Sequence, residues 1–294
     1  MEQEKGINVL SLFDGISIGQ LALKELNIPV KNYYASEIEK NAIKVTNHHF
    51  SETIQLGDIT KIDALTLPKI DLLICGSPCQ DLSSLRKDRK GLEGDKSSLF
   101  FHALRLLKET TPKFYLFENV GSMSKRDRNR FDELLGVKGI MINSNLVSGA
   151  NRSRIYWTNI PNVTSPKDRN ILLKDIIENG FTDRDKSNCI LTKGVPLTVN
   201  GVNRYLKKSL GNIIYKTELF AEYNKNLKLF FLEEYSDSEV VRDFRKPTVT
   251  ELERLQTLPD GYVGDVLKPT PAHFHIGNCF SLEIIKHILK FADL

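Results

Sequence analysis

The first half of the chain alternates short apolar runs with amphipathic segments. The runs INVLSLF, VKNYYASEI, TIQLGDIT, KIDLLICGSP and PKFYLFENV predict strands. The segments ISIGQLALKELN, EKNAIKVTNHH and SLFFHALRLLKET have apolar residues at helical spacing. Several strands are too apolar to be half exposed, which is typical of a parallel sheet covered by helices on both faces. The pattern predicts an α/β, doubly wound fold.

The regular alternation ends near GANRSRIYWTNIPN, and the pattern becomes irregular until about residue 246. TVTELERLQTLPDGY then predicts a helix that stops at Pro259, and SLEIIKHILKFADL predicts a terminal helix. We therefore expect a large domain over 1–158, a smaller irregular domain over 159–245, and a return to the large domain over 246–294.

Within the irregular part, residues 186–217 contain no Asp or Glu and six basic residues, Lys186, Lys193, Arg204, Lys207, Lys208 and Lys216. Such a run is either a solvated face or a surface that faces phosphates, and the interleaved Tyr205 and Tyr215 suit the second interpretation. The formal net charge of +4 permits a polyanionic partner without requiring one.

The four cysteines have neither CxxC nor zinc-ligand spacing, so we expect free thiols and no structural metal. The polar start MEQEKG is unlike a signal sequence, and no apolar run approaches the ~18 residues of a membrane span. We expect a cytoplasmic protein, nucleoid-associated if it is bacterial or phage-encoded. The sequence does not decide between monomer and homodimer.

Ligands of open α/β sheets bind at the carboxyl ends of the strands, and three strand ends here suit a nucleoside. Gly15 and Gly19 follow the first strand, where backbone can approach a ligand closely. Glu37 ends the second strand and could accept hydrogen bonds from a ribose diol, and Asp58 could accept one from an exocyclic amine. Each acid could instead be a helix cap or a surface residue. Because no phosphate-binding loop is present, S-adenosylmethionine fits better than NAD.

The stretch LLICGSPCQDLS places one cysteine, Cys75, inside an apolar run and a second, Cys79, just beyond it behind Pro78. Cys75 is expected in the core, and Cys79 is either a turn residue or a positioned nucleophile. Glu118 follows in the next strand and would either face the same cleft or be a structural acid that is hydrogen-bonded to a neighbouring helix end. Arg152 and Arg154 alternate along an extended segment and could lower a thiol pKa or bind an anion; surface ion pairing is the alternative.

With these motifs in order, the chain resembles the cytosine carbon-5 DNA methyltransferases. The resemblance rests on SLFDGISIG, SEIEKNA, GDIT, GSPCQDLS, SLFFHALRLL, LFENV, NRSRIYW, TELERLQTLPDGY and IGNCFSLEII. It covers the chain except about residues 163–240, and its wording is closer to the animal de novo enzymes than to typical restriction-associated ones. It implies a Rossmann-like methyltransferase fold that binds S-adenosylmethionine, a target-recognition domain over 159–245, and duplex DNA as partner.

The resemblance also implies residue roles. Cys79 would add to carbon 6 of a flipped-out cytosine, Glu118 would bind its amine and N3, and Arg154, helped by Arg152, would contact its carbonyl oxygen. The loop SSLRKDRKGLEG would close over the base. The cofactor would be bound by Phe13, Asp14, Gly15, Ile16, Glu37, Ile38, Asp58, Ile59, Gly76, Pro78, Leu99 and Asn278.

Two positions depart from the family pattern. Ser17 replaces a glycine of the first turn, and Asn151 and its neighbours lack the glutamine that usually precedes the two arginines. Neither change removes a chemically active group, so we expect an active enzyme. A transfer-RNA cytosine methyltransferase, a catalytically inactive DNA-binding homologue, and a nicotinamide-dependent oxidoreductase are the alternatives, in that order.

Overall fold

The computed structural model describes residues 6–78, 99–208, 210–227 and 235–294. The chain forms two compact units, each built from more than one segment. Unit 1 comprises Met1–Asn143, Ser153–Pro166 and Leu282–Leu294, and unit 2 comprises Ser144–Arg152 and Lys167–Ser281. Unit 2 is therefore made largely of one insertion, Lys167–Ser281, which lies between the last strand and the last helix of unit 1.

Unit 1 contains a seven-stranded sheet. Its strands are β1 (Ile7–Leu12), β2 (Val30–Ser36), β3 (Ile54–Gln55), β4 (Leu72–Gly76), β5 (Phe114–Val120), β6 (Ile140–Asn143) and β7 (Ser153–Thr158). Its helices are α1 (Ile18–Glu25), α2 (Lys40–His49), α3 (Leu99–Thr110), α4 (Lys125–Leu135) and α10 (Leu282–Leu289). The central strands are almost wholly buried, as their uninterrupted apolar sequences require.

The strand order is β3-β2-β1-β4-β5-β7-β6. The first five strands pair in parallel, and β7 runs antiparallel between β5 and β6. The order reverses direction between β1 and β4, so their carboxyl ends form the crevice where doubly wound sheets bind ligands. The predicted α/β, doubly wound fold is confirmed.

Two layers of helices cover the sheet. One face packs on α3 and α4 in a core rich in aromatic residues, where the Phe131 ring stacks on Trp157 at 4.9 Å. On the other face α1 lies directly against the sheet: a Cβ on Gly19 would be 2.8 Å from the Ile74 side chain. α10 packs on α1, with Lys286 paired to Glu25 at 2.7 Å.

Unit 2 contains α5 (Val199–Lys208), α6 (Glu218–Leu227), α7 (Asp237–Asp243), α8 (Val249–Leu255), α9 (Pro269–Asn278) and a hairpin of β8 (Ile214–Tyr215) with β9 (Phe244–Arg245). A buried carboxylate, Asp183, organises its small core. It accepts hydrogen bonds from the hydroxyls of Tyr205 (2.7 Å) and Tyr215 (3.1 Å) and from the Arg184 guanidinium (2.7 Å). These donors keep the pKa of Asp183 below its ordinary value, although burial opposes them.

The compact units divide the chain at other positions than the predicted domains. Residues 159–166 group with unit 1, and residues 246–281 group with unit 2 rather than with the sheet. The helix that was predicted to stop at Pro259 ends at Leu255, because Thr257 adopts a left-handed conformation (φ 60°). The amides of Thr257 and Leu258 then bond back to Arg254 and Glu253, as in a Schellman motif.

Candidate active site

The turn that follows β1, residues 13–17 (the β1 turn), has an unusual backbone. Phe13 (φ 55°), Gly15 (φ 60°) and Ser17 (φ 57°) are all in the left-handed region, which is strained for the two residues that carry a Cβ. Ile16 is buried beneath the turn. The sequence predicted a close-approach turn from its glycines, and two of its three left-handed positions turn out to be non-glycine.

Polar side chains hold the β1 turn. The Asp14 carboxylate is 5% exposed and accepts hydrogen bonds from the Tyr33 hydroxyl (2.8 Å) and from the Ser17 hydroxyl. Since the single hydroxyl proton of Ser17 goes to Asp14, Thr46 on α2 must donate to Ser17 across their 3.0 Å contact. The turn is thereby tied to β2 and α2 by side chains.

Burial raises the pKa of Asp14 from its ordinary 3.8 to about 6. The hydroxyls of Ser11, Ser17 and Tyr33 oppose this rise by bonding to the charged form, and the nearby carboxylate of Glu37 adds to it. Asp14 is therefore a carboxylate that the fold keeps out of water at a cost.

Glu37, directly after β2, accepts hydrogen bonds from three backbone amides. One of its oxygens accepts from the amides of Ile38 (2.7 Å) and Glu39 (2.8 Å), and the other accepts from Gly15 of the β1 turn (2.8 Å). A carboxylate has about four acceptor positions, so these three bonds leave capacity for a ligand hydroxyl. The Ile38 side chain beside it is 69% exposed, an apolar surface open to solvent.

Asp58 caps the short helix Ile59–Lys61 through one oxygen, which accepts from the amide and the hydroxyl of Thr60, both at 2.9 Å. These bonds hold the pKa of Asp58 below its ordinary value. Among the described residues, its hydrogen bonds all reach this one oxygen. Ile59, Phe13 and Leu99 belong to a common apolar cluster. An anionic acceptor and an apolar wall thus occur together here.

The end of β4 is tied to β5 by a buried asparagine. Asn119, 0% exposed, donates from its side-chain amide to the hydroxyl (3.0 Å) and carbonyl (3.3 Å) oxygens of Ser77. Gly76 pairs with Glu118, so the chain leaves β4 beside that carboxylate. Pro78, half-buried, is the last residue described there, and Cys79 and the loop that follows it, up to residue 98, lie outside the described residues.

Glu118 forms an ion pair with Arg154 of β7. The Arg154 Nε lies 2.8 Å from a Glu118 carboxylate oxygen, and the two side chains are 13% and 11% exposed. The pair arises from the sheet register, because Glu118 and Val120 of β5 face Tyr156 and Arg154 of the antiparallel β7. Cys75, by contrast, is fully buried as expected, and burial raises the pKa of its thiol well above the ordinary value.

Arg152 and Asn278 belong to unit 2. Arg152 is 5% exposed and donates to the carbonyls of Gly277 (3.1 Å) and Cys279 (2.7 Å), where the last turn of α9 leaves such groups without helical partners. Asn278 is the exposed last residue of α9. Within unit 2 Arg152 therefore stabilises a helix end, and the predicted contacts of both residues with base or cofactor stay predictions.

Three polar residues that position the carboxyl ends of these strands were not predicted from the sequence: Tyr33, Ser77 and Asn119. Ser77 and Asn119 stand inside the quoted motifs GSPC and FENV, which was an available signal. Tyr33 lies in an ordinary strand pattern, and only the packing of β2 against the β1 turn reveals its role.

The described residues contain neither a metal-ligand cluster nor a helix that could cross a membrane. No three His, Cys, Asp or Glu side chains there are grouped as metal ligands would be. None of the helices in the described part of the chain has the length and apolar character that crossing a membrane requires.

With this geometry established, comparison with known proteins identifies the family. The family model for the C-5 cytosine-specific DNA methylase matches residues 7–137, which include the ends of β1, β2, β4 and β5. The chain belongs to this family. It is 31% identical to the orphan methyltransferase M.Rho11sI of Bacillus phage rho11s over 82% of this chain, and 32% identical to M.SPRI of Bacillus phage SPR over 79%.

The matched regions cover 48% and 51% of those two phage enzymes, so the chain spans about half of their length. The type II methyltransferase M1.ScrFI of Lactococcus lactis subsp. cremoris is 28% identical over 96% of this chain and 77% of its own length. All three are named as methyltransferases, and two of them come from phages.

Solved structures with low identity share the fold. The Entamoeba histolytica methyltransferase EhMeth covers 98% of each chain with a TM-score of 0.72 at 15% identity. A variant of Spodoptera frugiperda DNMT2 covers 97% of this chain and 99% of its own, with a TM-score of 0.70 at 18% identity. These matches confirm the methyltransferase fold that the resemblance implied.

Proposed function

We propose that this C-5 cytosine methylase family member is a DNA methyltransferase that transfers the methyl group of S-adenosylmethionine to carbon 5 of a cytosine flipped out of duplex DNA. The observation that carries the proposal is the juxtaposition of Glu118 with the end of β4. Gly76 pairs with Glu118, and Asn119 binds Ser77, so the chain that leads to Cys79 departs beside the carboxylate.

The cofactor residues fit a nucleoside with a cationic centre and no phosphate. Glu37 retains acceptor capacity for a ribose hydroxyl, Asp58 has a second oxygen for an adenine amine, and exposed Ile38 offers a surface on which a ring can stack. When bound, S-adenosylmethionine supplies an electrophilic methyl group on its sulfonium sulfur. We assign Phe13, Gly15, Ile59, Leu99 and Asn278 to the same site.

Carbon 5 of cytosine is a weak nucleophile, and the protein must activate it. Addition of the Cys79 thiolate to carbon 6 makes carbon 5 electron-rich, since the new bond pushes charge into the ring. Glu118 stabilises that charge by supplying a proton or hydrogen bond to N3 and accepting a hydrogen bond from the exocyclic amine, and Arg154 donates to the carbonyl oxygen. Loss of the carbon-5 proton then allows Cys79 to leave with the electrons of its bond to carbon 6.

The pair between Glu118 and Arg154 prepares both groups. Arg154 holds the carboxylate in place at 2.8 Å in a largely water-excluded position. Preorganised polar groups of this kind stabilise developing charge without reorganisation during the reaction. Binding of the base would displace solvent near the pair and leave the Glu118 and Arg154 side chains where they are.

Substitution Cys79→Ser tests the nucleophile. We expect loss of methyl transfer by more than about a thousandfold with retained binding of S-adenosylhomocysteine, because serine is a far weaker nucleophile at neutral pH. Methyl incorporation into duplex DNA is the measurement. Cys189→Ser, at a half-exposed thiol in unit 2, is the matched control and should keep full activity.

A covalent trap tests the substrate. Duplex DNA that contains 5-fluorocytosine should capture the wild-type chain in the presence of S-adenosylmethionine, because the fluorine at carbon 5 cannot leave as a proton does. Methylation of transfer RNA in preference to DNA would overturn the DNA assignment and support the alternative substrate. Absence of both reactions with intact cofactor binding would support an inactive DNA-binding homologue.

A further inference from the structure

The β1 turn is strained, and apart from Glu37, which binds the Gly15 amide, the side chains that restrain it from outside the turn have no part in the proposed chemistry. Phe13 and Ser17 are held at φ 55° and φ 57°, where a residue with a Cβ is disfavoured. Such conformations persist only where the surroundings over-determine them. The main-chain bonds of the turn run from Asp14 N to Ser36 O (3.1 Å), from Ser17 N to Asp14 O (3.3 Å) and from Leu21 N to Ser17 O (3.0 Å).

Side chains provide the stronger restraints. The Tyr33 hydroxyl reaches the Asp14 carboxylate at 2.8 Å from the middle of β2, and Tyr33 itself is only 2% exposed. α1 leaves no room for the ring to move, since a Cβ on Gly19 would lie 3.0 Å from that hydroxyl. The buried side chain of Tyr33 therefore connects β2 to the β1 turn.

We propose that Tyr33 is a positioning residue for the cofactor: through Asp14 it holds the β1 turn in the left-handed conformation that presents its backbone to the ligand. This inference rests on the proposed function, because it assumes that the β1 turn contacts the cofactor. Tyr33 acts from behind the turn, and its hydroxyl is occupied by Asp14.

The variant Tyr33→Phe removes only the hydroxyl. We expect the affinity for S-adenosylhomocysteine, measured by calorimetry, to fall about tenfold, the effect of one hydrogen bond to a charged acceptor. In the ligand-free protein, the Gly15 and Ser17 amides should exchange with solvent at least about tenfold faster, because the turn opens more often.

Tyr115→Phe is the matched control. Tyr115 is also a buried tyrosine of the same sheet, and its hydroxyl donates over the same 2.8 Å, but to Leu135 O at the end of α4. It should lose comparable thermal stability while its cofactor affinity and the exchange of the Gly15 amide stay as in the wild type. A purely structural role of Tyr33 would instead make the two variants alike in every readout.

The outcomes separate this inference from the proposed function. Unchanged exchange of the Gly15 and Ser17 amides in Tyr33→Phe overturns the inference, and so does faster exchange with unchanged affinity. A wild-type chain that binds no S-adenosylhomocysteine refutes the proposed function, while the exchange rates still decide whether Tyr33 holds the turn. Lower affinity with faster exchange in Tyr33→Phe, together with wild-type affinity and Gly15 exchange in Tyr115→Phe, supports both.

Discussion

The carboxyl group of Asp14 lies among the hydroxyls of Ser17 and Tyr33, away from water. Burial raises its pKa to about 6, so at neutral pH the charged carboxylate has a higher free energy in the folded state than in the unfolded chain. A raised carboxyl pKa means that the folded state binds a proton more tightly than the unfolded state. The group therefore stabilises the fold below pH ~4, and this contribution is lost as pH rises through about 6.

Asp14→Asn should consequently be more stable than the wild type above pH 6, because the amide carries no charge to desolvate. The rise from 3.8 to about 6 corresponds to about 3 kcal/mol, which is the largest gain expected. Urea unfolding at pH 4.5, 6 and 8 measures it, and the advantage should shrink as the pH falls. An advantage that is independent of pH would show that ionisation of Asp14 is not its source.

The two arginines of NRSRIYW differ in what they contact. Arg154 pairs with Glu118, and Arg152 binds the carbonyls of Gly277 and Cys279. Arg154→Ala should slow single-turnover methyl transfer at least about a hundredfold, as removal of a charge-stabilising donor does. It should also lower stability, because the largely buried Glu118 carboxylate loses its partner. Arg152→Ala should lower the free energy of unfolding by about 3 kcal/mol, because buried carbonyls lose a charged donor.

The rate of methyl transfer and the melting temperature should both be measured for each variant, so that each arginine variant serves as a control for the other. If Arg152→Ala kept its melting temperature and lost the chemical step, Arg152 would be a base-contacting residue as first predicted, and the helix-end contacts would be incidental.

At the scale of elements, short polar bridges between neighbouring strands set the site. Asn119 links the carboxyl ends of β4 and β5, and Asn159 makes the equivalent link at the amino end of β5, where it binds Tyr115 N (2.8 Å) and Lys113 O (2.9 Å). The two asparagines thus hold opposite ends of β5, and only the carboxyl end lies at the proposed site.

Asn119→Ala should slow methyl transfer more than about tenfold, since Ser77 and the chain that leads to Cys79 lose their anchor. Its unfolding free energy should fall by about 1–3 kcal/mol, the cost of unsatisfied buried groups. Asn159→Ala should lower stability and leave the rate constant unchanged. Equal rate constants for the two variants would disprove a positioning role for Asn119.

The elements of unit 1 were predictable because their cause is local. Apolar runs such as LLICG and FYLFENV have no other low-energy place than a covered sheet, and the structure confirms them as β4 and β5. In unit 2 the elements α5, β8 and α6 surround one buried carboxylate, Asp183, and its partners in these three elements lie 22 to 41 residues away. Long-range polar contacts of this kind leave no periodicity in a sequence.

In the candidate site, too, some residues could be predicted from local sequence and others depend on long-range contacts. Glu37, Asp58 and Glu118 could be found because each follows a buried strand, and strand ends are where doubly wound folds bind ligands. The partner of Glu118 follows from the register of β7, an antiparallel strand that the sequence did not predict as such. The support behind the β1 turn depends on Tyr33, which only the assembled layers bring to Asp14.

At the scale of the whole molecule, the basic residues of 186–217 divide into two groups. Lys186 donates to three carbonyls, those of Asn145, Ser148 and Ile171, and Lys216 donates to Val241 O, so both have structural roles. Arg204 and Lys208 are exposed and lie one turn apart on α5. With Lys193 and Lys207, which are exposed as well, they are the charges that can meet a phosphate backbone.

The double variant Arg204→Ala/Lys208→Ala should bind duplex DNA more weakly and with a smaller salt dependence. Each lost phosphate contact reduces the slope of log affinity against log salt by about 1, so a change of about 2 is expected. Lys69→Ala, an exposed lysine just before β4 at the edge opposite the site, should leave the slope unchanged. A slope that is also unchanged in the double variant would show that Arg204 and Lys208 face solvent rather than phosphates.

The docking of α10 on α1 joins Glu25 to Lys286, residues that are 261 positions apart. A ribosome must therefore make the whole of unit 2 before the outer surface of α1 has its partner. Throughout that interval the nascent sheet carries a helix with one side uncovered, and a chaperone or a growing aggregate can bind there. Messages that pause translation within unit 2 should then yield less native protein than messages that pause before α1 has been made.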